Sequence, residues 1–339
     1  MKKQKVLITG GTGSLGQALT RKLLNIDVGT IRILSRNESK QVEMEEKFDD
    51  KRLRFLIGDI RDKERLEKSF EDIDIVIHTA ALKHVQIIEY NTFEAIKTNV
   101  MGSQNVIDAA ITQNVKKVLC IGTDKSVSPL NTYGATKLLM EKLFITANNF
   151  INKEKHDVNF SAVRLGNFFG SSGSVIPKFI EQIKNGKAIT DTSNDMTRFS
   201  ITMDQTLDFI IDCAQNAKIS EVYIPKMKAY DMSSIVNAFQ NLFPSLEIRN
   251  VGPRLGEKFH EVLFSHDEAR YAWDVGNKFM ISNPDSITDN EVISAYEGKI
   301  KKIDADKEYS SENIEKMSIK EIEKQIQQFQ QETDINIQK

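Results

Sequence analysis

The sequence has few of the residues that mark secreted, metal-binding or membrane proteins. Its two cysteines, Cys120 and Cys213, each lie in an apolar stretch, and buried thiols of this kind are typical of a reducing cytosol. The five histidines are scattered without the spacing of zinc ligands, so no metal site is predicted. No window approaches about 18 uninterrupted apolar residues, and no membrane-spanning helix is predicted.

An excess of charge is also missing, with 46 lysines and arginines against 48 aspartates and glutamates. A net charge of −2 gives no electrostatic reason to expect nucleic acid as a partner. The opening segment MKKQKVLITGG has an aliphatic run too short for the core of a signal peptide. We therefore expect a cytoplasmic protein of ordinary globular composition that binds neither nucleic acid nor membrane.

Short aliphatic runs alternate with helical patterns through the first half of the chain. The runs predicted to be buried strands are Lys5–Thr9, Ile31–Ser35, Leu53–Ile57, Ile73–His78, Lys117–Ile121 and Val158–Arg164. The predicted helices lie near residues 14–25, 38–48, 62–70, 92–113 and 132–149. Near-continuous apolar strands alternating with helices predict an α/β fold with a doubly wound parallel sheet, covered on both faces.

The pattern becomes irregular after Arg164, which indicates a second and smaller lobe. Helices are predicted near 174–185 and 204–217, and a strand at Glu221–Ile224 is expected to return to the sheet. The expected organisation is a nucleotide-binding domain of residues 1–165 plus about 201–226, a substrate-binding lobe of about 166–200 plus 227–300, and a tail of 301–339. The tail is rich in Lys, Glu and Gln, and it is predicted to be helical over 317–332 or partly disordered.

A glycine-rich loop follows the first predicted strand and opens a helix. It reads Gly10-Gly11-Thr12-Gly13-Ser14-Leu15-Gly16. Glycines at this spacing allow a tight turn, a close approach of the backbone to a pyrophosphate and close packing of helix on sheet. The helix N-terminus then offers free N–H groups and the positive end of a dipole, so the loop predicts dinucleotide binding. The alternative is a purely structural turn.

The end of the second strand bears on the choice of dinucleotide. NAD sites usually place an acidic residue there for the ribose 2′-hydroxyl, whereas this chain has Ser35 and Arg36, with Lys40 one turn on. These residues suit a 2′-phosphate, and we predict NADP, with NAD as the alternative. Arg36 could instead stack over an adenine or lie in solvent.

Further residues are expected along the rest of the cofactor. Asp59 and Ile60 follow the third strand and are predicted at the adenine edge. Ala80 and Ala81 follow the fourth strand, where their small side chains leave room for a ligand. Asn99 is either an ordinary helical residue or part of a hydrogen-bond relay behind a catalytic tyrosine.

The segment TDKSVSPLNTYGATK concentrates acid–base chemistry. Tyr133 and Lys137 lie four residues apart and share a helix face, and an ammonium beside a phenol is expected to lower its pKa and make a general base. Thr123, Asp124 and Lys125 add a second acid–base pair that simple alcohol oxidation does not need. The alternative for Asp124 and Lys125 is an ion pair that closes a strand end.

Together these motifs resemble the extended short-chain dehydrogenase/reductases that act on nucleotide sugars. The strings AALKHV, TNVMGSQNV, TDKSVSPLNTYGATK, GSVIPKFI, MTRFSIT and GPRLGEKFHEVL are similar to those of UDP-N-acetylglucosamine 4,6-dehydratases that invert C5, over about residues 4–275. Related dTDP-glucose dehydratases carry Asp-Glu in place of Asp-Lys, and epimerases lack the pair. Three positions differ from the pattern: Gln86, Gly122 and Ser172, where Pro, Ser and Arg are usual.

The resemblance implies a Rossmann-type domain with a smaller C-terminal substrate-binding lobe, a tightly bound and recycled NADP, and a homo-oligomer, with a hexamer as one form. It implies a lyase that makes UDP-2-acetamido-2,6-dideoxy-β-L-arabino-hex-4-ulose in the first step of pseudaminic-acid-type biosynthesis. Tyr133 and Lys137, which also contact the cofactor, would oxidise C4, with Thr123 on the same hydroxyl. Lys125 would take the C5 proton, and Asp124 would protonate the leaving C6 hydroxyl. The residues that would contact the substrate are Lys83 (also near the cofactor), Thr123, Asn167, Val175, Arg198, Arg254 and Glu257.

Other functions stay open at this point. A dehydratase that retains C5, a 4-epimerase or a 4-reductase would use Tyr133 without needing all of the Asp124–Lys125 chemistry. A non-enzymatic NADP-binding regulator on the same fold would not need the Tyr133–Lys137 pair. Fold alone does not separate these functions.

Overall fold

The computed structural model describes residues 1–170, 174–192, 195–218, 220–253 and 256–332. The chain divides into two compact units. The first comprises Met1–Leu165, Leu207–Pro225 and His266–Lys307, and the second comprises Gly166–Thr206, Lys226–Ser265 and Glu308–Lys339. Residues 266–300 therefore belong with the first unit, whereas the sequence predicts them in the smaller lobe.

The strands are numbered along the chain. They are β1 (Lys5–Thr9), β2 (Thr30–Ser35), β3 (Leu53–Ile57), β4 (Ile75–His78), β5 (Lys117–Ile121), β6 (Asn159–Val163), β7 (Ile189–Asp191), β8 (Thr197–Ser200), β9 (Glu221–Pro225), β10 (Lys228–Asp231), β11 (Ile248–Asn250), β12 (Val262–Phe264), β13 (Ala272–Asp274), β14 (Lys278–Ser282), β15 (Lys301–Lys302) and β16 (Tyr309–Ser310).

The α-helices are numbered in the same way. They are α1 (Ser14–Leu24), α2 (Glu38–Phe48), α3 (Lys63–Phe70), α4 (Val85–Tyr90), α5 (Thr92–Ala95), α6 (Gly102–Thr112), α7 (Thr132–Phe150), α8 (Val175–Lys184), α9 (Met203–Asn216), α10 (Met232–Leu242), α11 (His266–Ala269), α12 (Asp289–Ala295) and α13 (Ile319–Glu332). A π-helix spans Ile96–Met101, and a short 3₁₀-helix spans Asp124–Ser126.

The first unit is built on one large sheet. Among the described residues its order is β15-β13-β14-β9-β6-β5-β4-β1-β2-β3. The strands from β3 to β9 run parallel, which confirms the predicted doubly wound fold. Its order 3-2-1-4-5-6 reverses between β1 and β4, the switch point at which such sheets bind ligands beyond the carboxyl ends of their strands.

Burial explains why these strands can be recognised in the sequence. Val6, Leu7 and Ile8 of β1 are fully buried, as are most residues of β4 and β5, because helices cover both faces of a parallel sheet. Cys120 and Cys213 are buried as predicted. The antiparallel strands β14, β13 and β15 were not predicted, since β13 and β15 are too short to show a periodic pattern.

The predicted single helix over residues 92–113 is wrong in detail. The chain forms α4 before it, then α5, the π-helix Ile96–Met101 and α6 in succession. A π-helix turn inserts an extra residue into the helical ladder and often marks a functional site. Here it contains Asn99, whose side chain is fully buried.

The second unit has its own apolar core and small paired strands. β8 pairs with β10, β7 with β11, and β12 with β16. Residues of α8 and α10 form the core together with Ile322 and Ile326 of α13. The described part of the polar tail beyond Lys307 is therefore folded onto this unit, and Lys228 forms ion pairs with Glu315 and Glu321 of the tail at 2.7 and 2.9 Å.

Candidate active site

The glycine loop lies at the switch point of the sheet. Gly10 has a φ of 68°, and a Cβ atom there would come within 2.8 Å of the Ala80 Cα, so only glycine fits. A Cβ at Gly16 would lie 2.4 Å from the Gly11 carbonyl oxygen. α1 begins with Gly13 as its cap and has no acidic residue in its first turn. The first N–H groups of this helix are therefore not occupied by a capping side chain, as a phosphate site requires.

Ser35 and Arg36 differ in what they offer at the end of β2. The Ser35 hydroxyl accepts a hydrogen bond from the buried Gln41 amide at 2.9 Å, and this amide also donates to the Ser35 and Leu56 carbonyls. The Arg36 side chain is 58% exposed and lies 3.8 Å from the Asp59 carboxylate. Gln41, which the sequence did not single out, thus fixes this strand end, and Arg36 is the group free to reach outward.

Asp59 is held mainly by a neighbouring arginine. The Arg61 guanidinium donates to its carboxylate at 2.7 and 3.0 Å. Burial raises the pKa of Asp59, but the hydrogen bonds and charge of Arg61, with the charge of Arg36, outweigh it and leave the pKa below its ordinary value. Asp59 is therefore an anionic acceptor near the strand ends. Ile60 beside it is buried, and Lys40 on α2 is exposed.

The loop after β4 faces the glycine loop and is fixed by Asn99. The Asn99 side chain accepts from the Leu82 N–H at 2.8 Å and donates to the Leu82 carbonyl at 3.0 Å. It also donates to the Thr136 hydroxyl at 3.1 Å. Ala80 and Ala81 are partly exposed, and Lys83 is exposed. Asn99 thus links this loop to α7, the helix that carries Tyr133, and a relay role behind the tyrosine stays a prediction.

The Thr-Asp-Lys turn follows β5 at the same edge of the sheet. The Thr123 hydroxyl and the Lys125 ammonium both donate to one oxygen of Asp124, at 2.9 and 3.0 Å. The Asp124 side chain is 1% exposed, whereas that of Lys125 is 27% exposed. The backbone N–H of Asp124 also donates to the Leu165 carbonyl at 3.0 Å. Asp124 and Lys125 thus form an ion pair at the strand end, and the partly exposed Lys125 side chain makes the pair accessible to solvent.

Tyr133 shares its surroundings with this turn. Burial raises the pKa of its phenol, while the charge of Lys125 and a hydrogen-bonding interaction with Thr123 lower it, and Asp124 raises it. The net shift is upward, so the expected lowering of the Tyr133 pKa is wrong in direction. The cation that acts on the phenol is Lys125.

Lys137 lies against the end of β5. Its ammonium donates to the Ile121 carbonyl at 2.5 Å and contacts the Met140 sulfur at 3.5 Å. Burial lowers the pKa of Lys137 to about 8, against smaller opposing effects of Cys120 and Glu141. Lys137 thus ties α7 to the end of β5.

A buried ion cluster lies beneath the same helix. The Arg164 guanidinium binds Glu141 of α7 at 2.7 and 2.8 Å and Glu268 of α11 at 2.6 and 2.9 Å. Both carboxylates are bound bidentately, the geometry in which such pairs are strongest.

At Gly122, where the related enzymes usually have Ser, a Cβ would lie 2.7 Å from the Val163 carbonyl oxygen, so this chain has no room for that side chain.

The remaining predicted substrate residues belong to the second unit. Arg198 is largely buried, and its guanidinium donates to the Thr197 and Phe259 carbonyls at 2.7 and 3.0 Å. Asn167, Glu257 and Val175 at the start of α8 are partly exposed. Arg254 and Ser172 lie outside the described residues. A substrate role for this set stays a prediction.

Among the residues that the structure describes, no cluster of three or more His, Cys, Asp or Glu side chains is arranged to hold a metal ion. Within the same ranges, none of the helices combines the length and apolar character that a membrane crossing requires.

A doubly wound sheet with a glycine loop at its switch point, a Thr-Asp-Lys turn and a Tyr-x-x-x-Lys helix defines an extended short-chain dehydrogenase/reductase fold. The chain belongs to the polysaccharide biosynthesis protein family, whose family model matches residues 6–283.

Three relatives illustrate the similarity. The chain is 41% identical over 315 residues to a UDP-N-acetylglucosamine 4,6-dehydratase (inverting) of Campylobacter jejuni, covering 91% of this chain and 93% of that protein. It is 38% identical over 322 residues to a UDP-glucose 4-epimerase of Rickettsia typhi, covering 94% and 93%. The X-ray structure of Pen from Bacillus thuringiensis superposes with a TM-score of 0.87 at 38% identity, covering 97% of this chain and 99% of Pen.

Proposed function

We propose that this protein is an inverting UDP-N-acetylglucosamine 4,6-dehydratase that uses NADP. The observation that carries the proposal is the Asp124–Lys125 pair beside the Tyr133 phenol, with the Lys125 ammonium 3.0 Å from the carboxylate. Oxidation of an alcohol alone needs one base, whereas dehydration at C5 and C6 needs a second base and an acid. The similarity to the inverting dehydratase of Campylobacter jejuni supports the same conclusion.

The first proton transfer is assigned to Tyr133. Its phenolate would accept the proton of the sugar C4 hydroxyl while Thr123 holds the same oxygen. Because burial raises the pKa of Tyr133 and Lys125 lowers it, Lys125 is the residue that makes the phenolate accessible. Lys137 would act by fixing α7 to β5 through the Ile121 carbonyl and by its contact with the cofactor.

The second and third transfers are assigned to the ion pair. After C4 is oxidised, transfer of one proton from the Lys125 ammonium to the Asp124 carboxylate gives a neutral pair. The C4 ketone acidifies the C5 proton, which neutral Lys125 would accept, while protonated Asp124 would donate to the C6 hydroxyl as water leaves. This step converts a neutral pair into an ion pair. At 3.0 Å a proton can pass directly from the ammonium to the carboxylate, which restores the reactive form. As C6 regains its hydride, C5 would take a solvent-derived proton on the face opposite Lys125, and its configuration inverts.

The cofactor is assigned to the glycine loop and the end of β2. Only glycine fits at positions 10 and 16, and the start of α1 has no capping side chain. Both features suit a pyrophosphate. The exposed Arg36 suits a 2′-phosphate. When bound there, the nicotinamide would supply reversible hydride transfer between C4 and C6, with no net change in its own oxidation state. Asp59, Ile60, Ala80 and Ala81 would line its path, with Lys83 and Asn99 near them.

The remaining parts of the proposal depend on the sequence resemblance. Asn167, Val175, Arg198, Arg254 and Glu257 would hold the nucleotide sugar, and the product would enter pseudaminic-acid-type biosynthesis in the cytoplasm. A homo-oligomer, with a hexamer as one form, is supported by exposed apolar side chains on α4 and α5, where Ile87, Tyr90 and Phe93 are 63%, 96% and 63% exposed. Light scattering on the purified protein tests the oligomer directly.

Proton NMR of the purified protein with UDP-N-acetylglucosamine in D₂O tests the activity. Without added cofactor, we expect the C6 hydroxymethyl signals to disappear and a 6-methyl signal to appear. The product should carry deuterium at C5 and have the L-arabino configuration. The same methyl with the configuration of C5 retained would keep a dehydratase but contradict inversion.

The main competing function is a 4-epimerase, since a relative with that name is 38% identical. An epimerase would give a C4 epimer with no 6-methyl signal, both without and with added NADP. The same spectrum therefore separates the two functions.

A further inference from the structure

A buried chain of hydrogen bonds passes through His78 at the carboxyl end of β4. His78 Nδ1 lies 2.7 Å from the Thr9 hydroxyl, and Nε2 lies 3.1 Å from the Ser103 hydroxyl. All three side chains are at most 1% exposed. The imidazole stacks on Phe144 of α7, with 5.5 Å between ring centroids, so it is fixed on its faces as well as at its nitrogens.

Ser103 determines the direction of this chain. Its hydroxyl donates its single hydrogen to the Asn99 carbonyl at 2.6 Å, so Ser103 accepts from His78, and the His78 proton sits on Nε2. Nδ1 is then an acceptor for the Thr9 hydroxyl, whose oxygen accepts from the Ala80 N–H at 3.3 Å. Burial and the charge of Lys137 lower the pKa of His78 to about 3, which keeps this neutral tautomer at working pH.

The two ends of this hydrogen-bond chain reach two different parts of the candidate active site. Thr9 immediately precedes Gly10, and the Thr79 hydroxyl donates to the Thr9 carbonyl at 2.7 Å, so one end fixes the glycine-loop side. At the other end, Asn99 donates to the Thr136 hydroxyl, which in turn donates to the Tyr133 carbonyl at 2.9 Å. That end fixes the first turn of the tyrosine helix.

We propose that His78 is a positioning residue whose two ring nitrogens hold the glycine-loop side and the tyrosine side of the site in register. It acts through Thr9 and Ser103. The inference rests on the proposed function, because that function assigns the cofactor to the glycine loop and the first proton transfer to Tyr133. It predicts that the two links can be separated, one affecting nucleotide affinity and the other affecting turnover.

Two conservative variants test the separation. His78→Asn keeps a polar group at the Nδ1 position and loses the Ser103 link, so kcat should fall roughly three- to tenfold, the equivalent of one hydrogen bond, while NADPH affinity is kept. His78→Gln keeps a donor at the Nε2 position and loses the Thr9 link, so NADPH affinity should fall by a similar factor with kcat largely kept. Affinity is measured by NADPH fluorescence titration of protein freed of nucleotide, and kcat and KM with UDP-N-acetylglucosamine.

Val76→Ala is the matched control, because Val76 is fully buried on the same strand and takes no part in the hydrogen bonds of His78. It should lower the Tm and leave both readouts unchanged. Thr9→Val and Ser103→Ala break the same two links from their outer ends and should reproduce the split if a His78 variant folds poorly. Variants that lower both readouts together, or that behave like Val76→Ala, would overturn the positioning role. NADPH affinity is measured without the sugar substrate. If the wild-type protein binds NADPH but leaves UDP-N-acetylglucosamine unchanged, only the proposed substrate is contradicted. The NADPH titrations of the variants then still test the role of His78.

Discussion

Two regions of the nucleotide-binding unit hold their ionisable groups in opposite ways. At the carboxyl ends of β5 and β2, Lys125 and Arg36 keep 27% and 58% of their side chains exposed. One layer deeper, α7 and β4 bury Lys137 and His78, and burial lowers the pKa of each, to about 8 and about 3. The strand ends thus present charge to a ligand, whereas the layer beneath uses nearly the same side-chain types to fix the backbone.

The comparison changes how the tyrosine motif is understood. Spacing alone pairs Tyr133 with Lys137, because residues four apart share a helix face. In the structure the charge acting on the phenol comes from Lys125 of the preceding turn, and the Lys137 ammonium binds the Ile121 carbonyl. The exposed region is therefore expected to act on ligands directly, and the buried region to act by positioning the site and through the dependence of stability on pH.

The largest expected effect is that of Lys125→Met. It removes the proposed C5 base and the cation that lowers the Tyr133 pKa, so kcat should fall about 10³-fold, within the range for loss of acid–base catalysis. Formation of the 6-methyl product, followed by NMR, is the measurement. Lys97→Met is the control, because Lys97 is an exposed lysine paired with Glu94, and it should leave kcat unchanged. A Lys125→Met enzyme within tenfold of wild type would contradict the assignment.

A second prediction concerns Lys137 and alkaline pH. Its pKa is about 8 in the folded protein and 10.5 in the unfolded chain, so the unfolded state binds the extra proton between these values. The free energy of unfolding should therefore rise by about 2 kcal/mol between pH 8 and pH 10, relative to Lys137→Met. Urea unfolding of both proteins at several pH values measures this difference. Parallel curves would show that Lys137 is not a buried cation.

A third prediction concerns His78 at acidic pH. The folded pKa of about 3 lies below the ordinary value of 6.5 because of burial and Lys137, so the unfolded state binds the proton first as pH falls. This stability is fully present above pH 6.5, and about 2 kcal/mol of it should be lost by pH 5. His78→Asn should lack this part of the slope, whatever its stability at neutral pH. Equal slopes for the two proteins between pH 6.5 and pH 5 would refute the buried neutral histidine.

The smallest expected effect is that of Arg36→Ala. Loss of one charge-assisted contact with a 2′-phosphate should weaken NADPH binding about tenfold and leave NADH binding unchanged. Fluorescence titration with both nucleotides measures this, with Arg54→Ala on β3 as an exposed control. If the affinity for both nucleotides falls equally, Arg36 contacts a part that they share, such as the adenine.

The sequence by itself determined the parallel sheet, the position of the glycine loop and the grouping of Thr123, Asp124 and Lys125 with Tyr133. These features are local, because a buried parallel strand is a continuous apolar run and a loop between strand and helix carries its own glycines. The spacing of Lys137 from Tyr133 is also a local feature, but the group that the Lys137 ammonium binds is not. Whether Lys137 met the phenol or the Ile121 carbonyl depended on where β5 lay against α7.

Only the tertiary structure decided which polar residues are buried and what they bind. The sequence assigned no role to Gln41, His78, Ser103 or Arg164, and each of them binds side chains that lie 6 to 104 residues away. The π-helix at Asn99 and the antiparallel strands beyond β9 were equally invisible, since a helical bulge leaves no clear period and three-residue strands are too short to show one. Side-chain partners across a sheet are set by packing between distant segments, and this information is not contained in any single stretch of the chain.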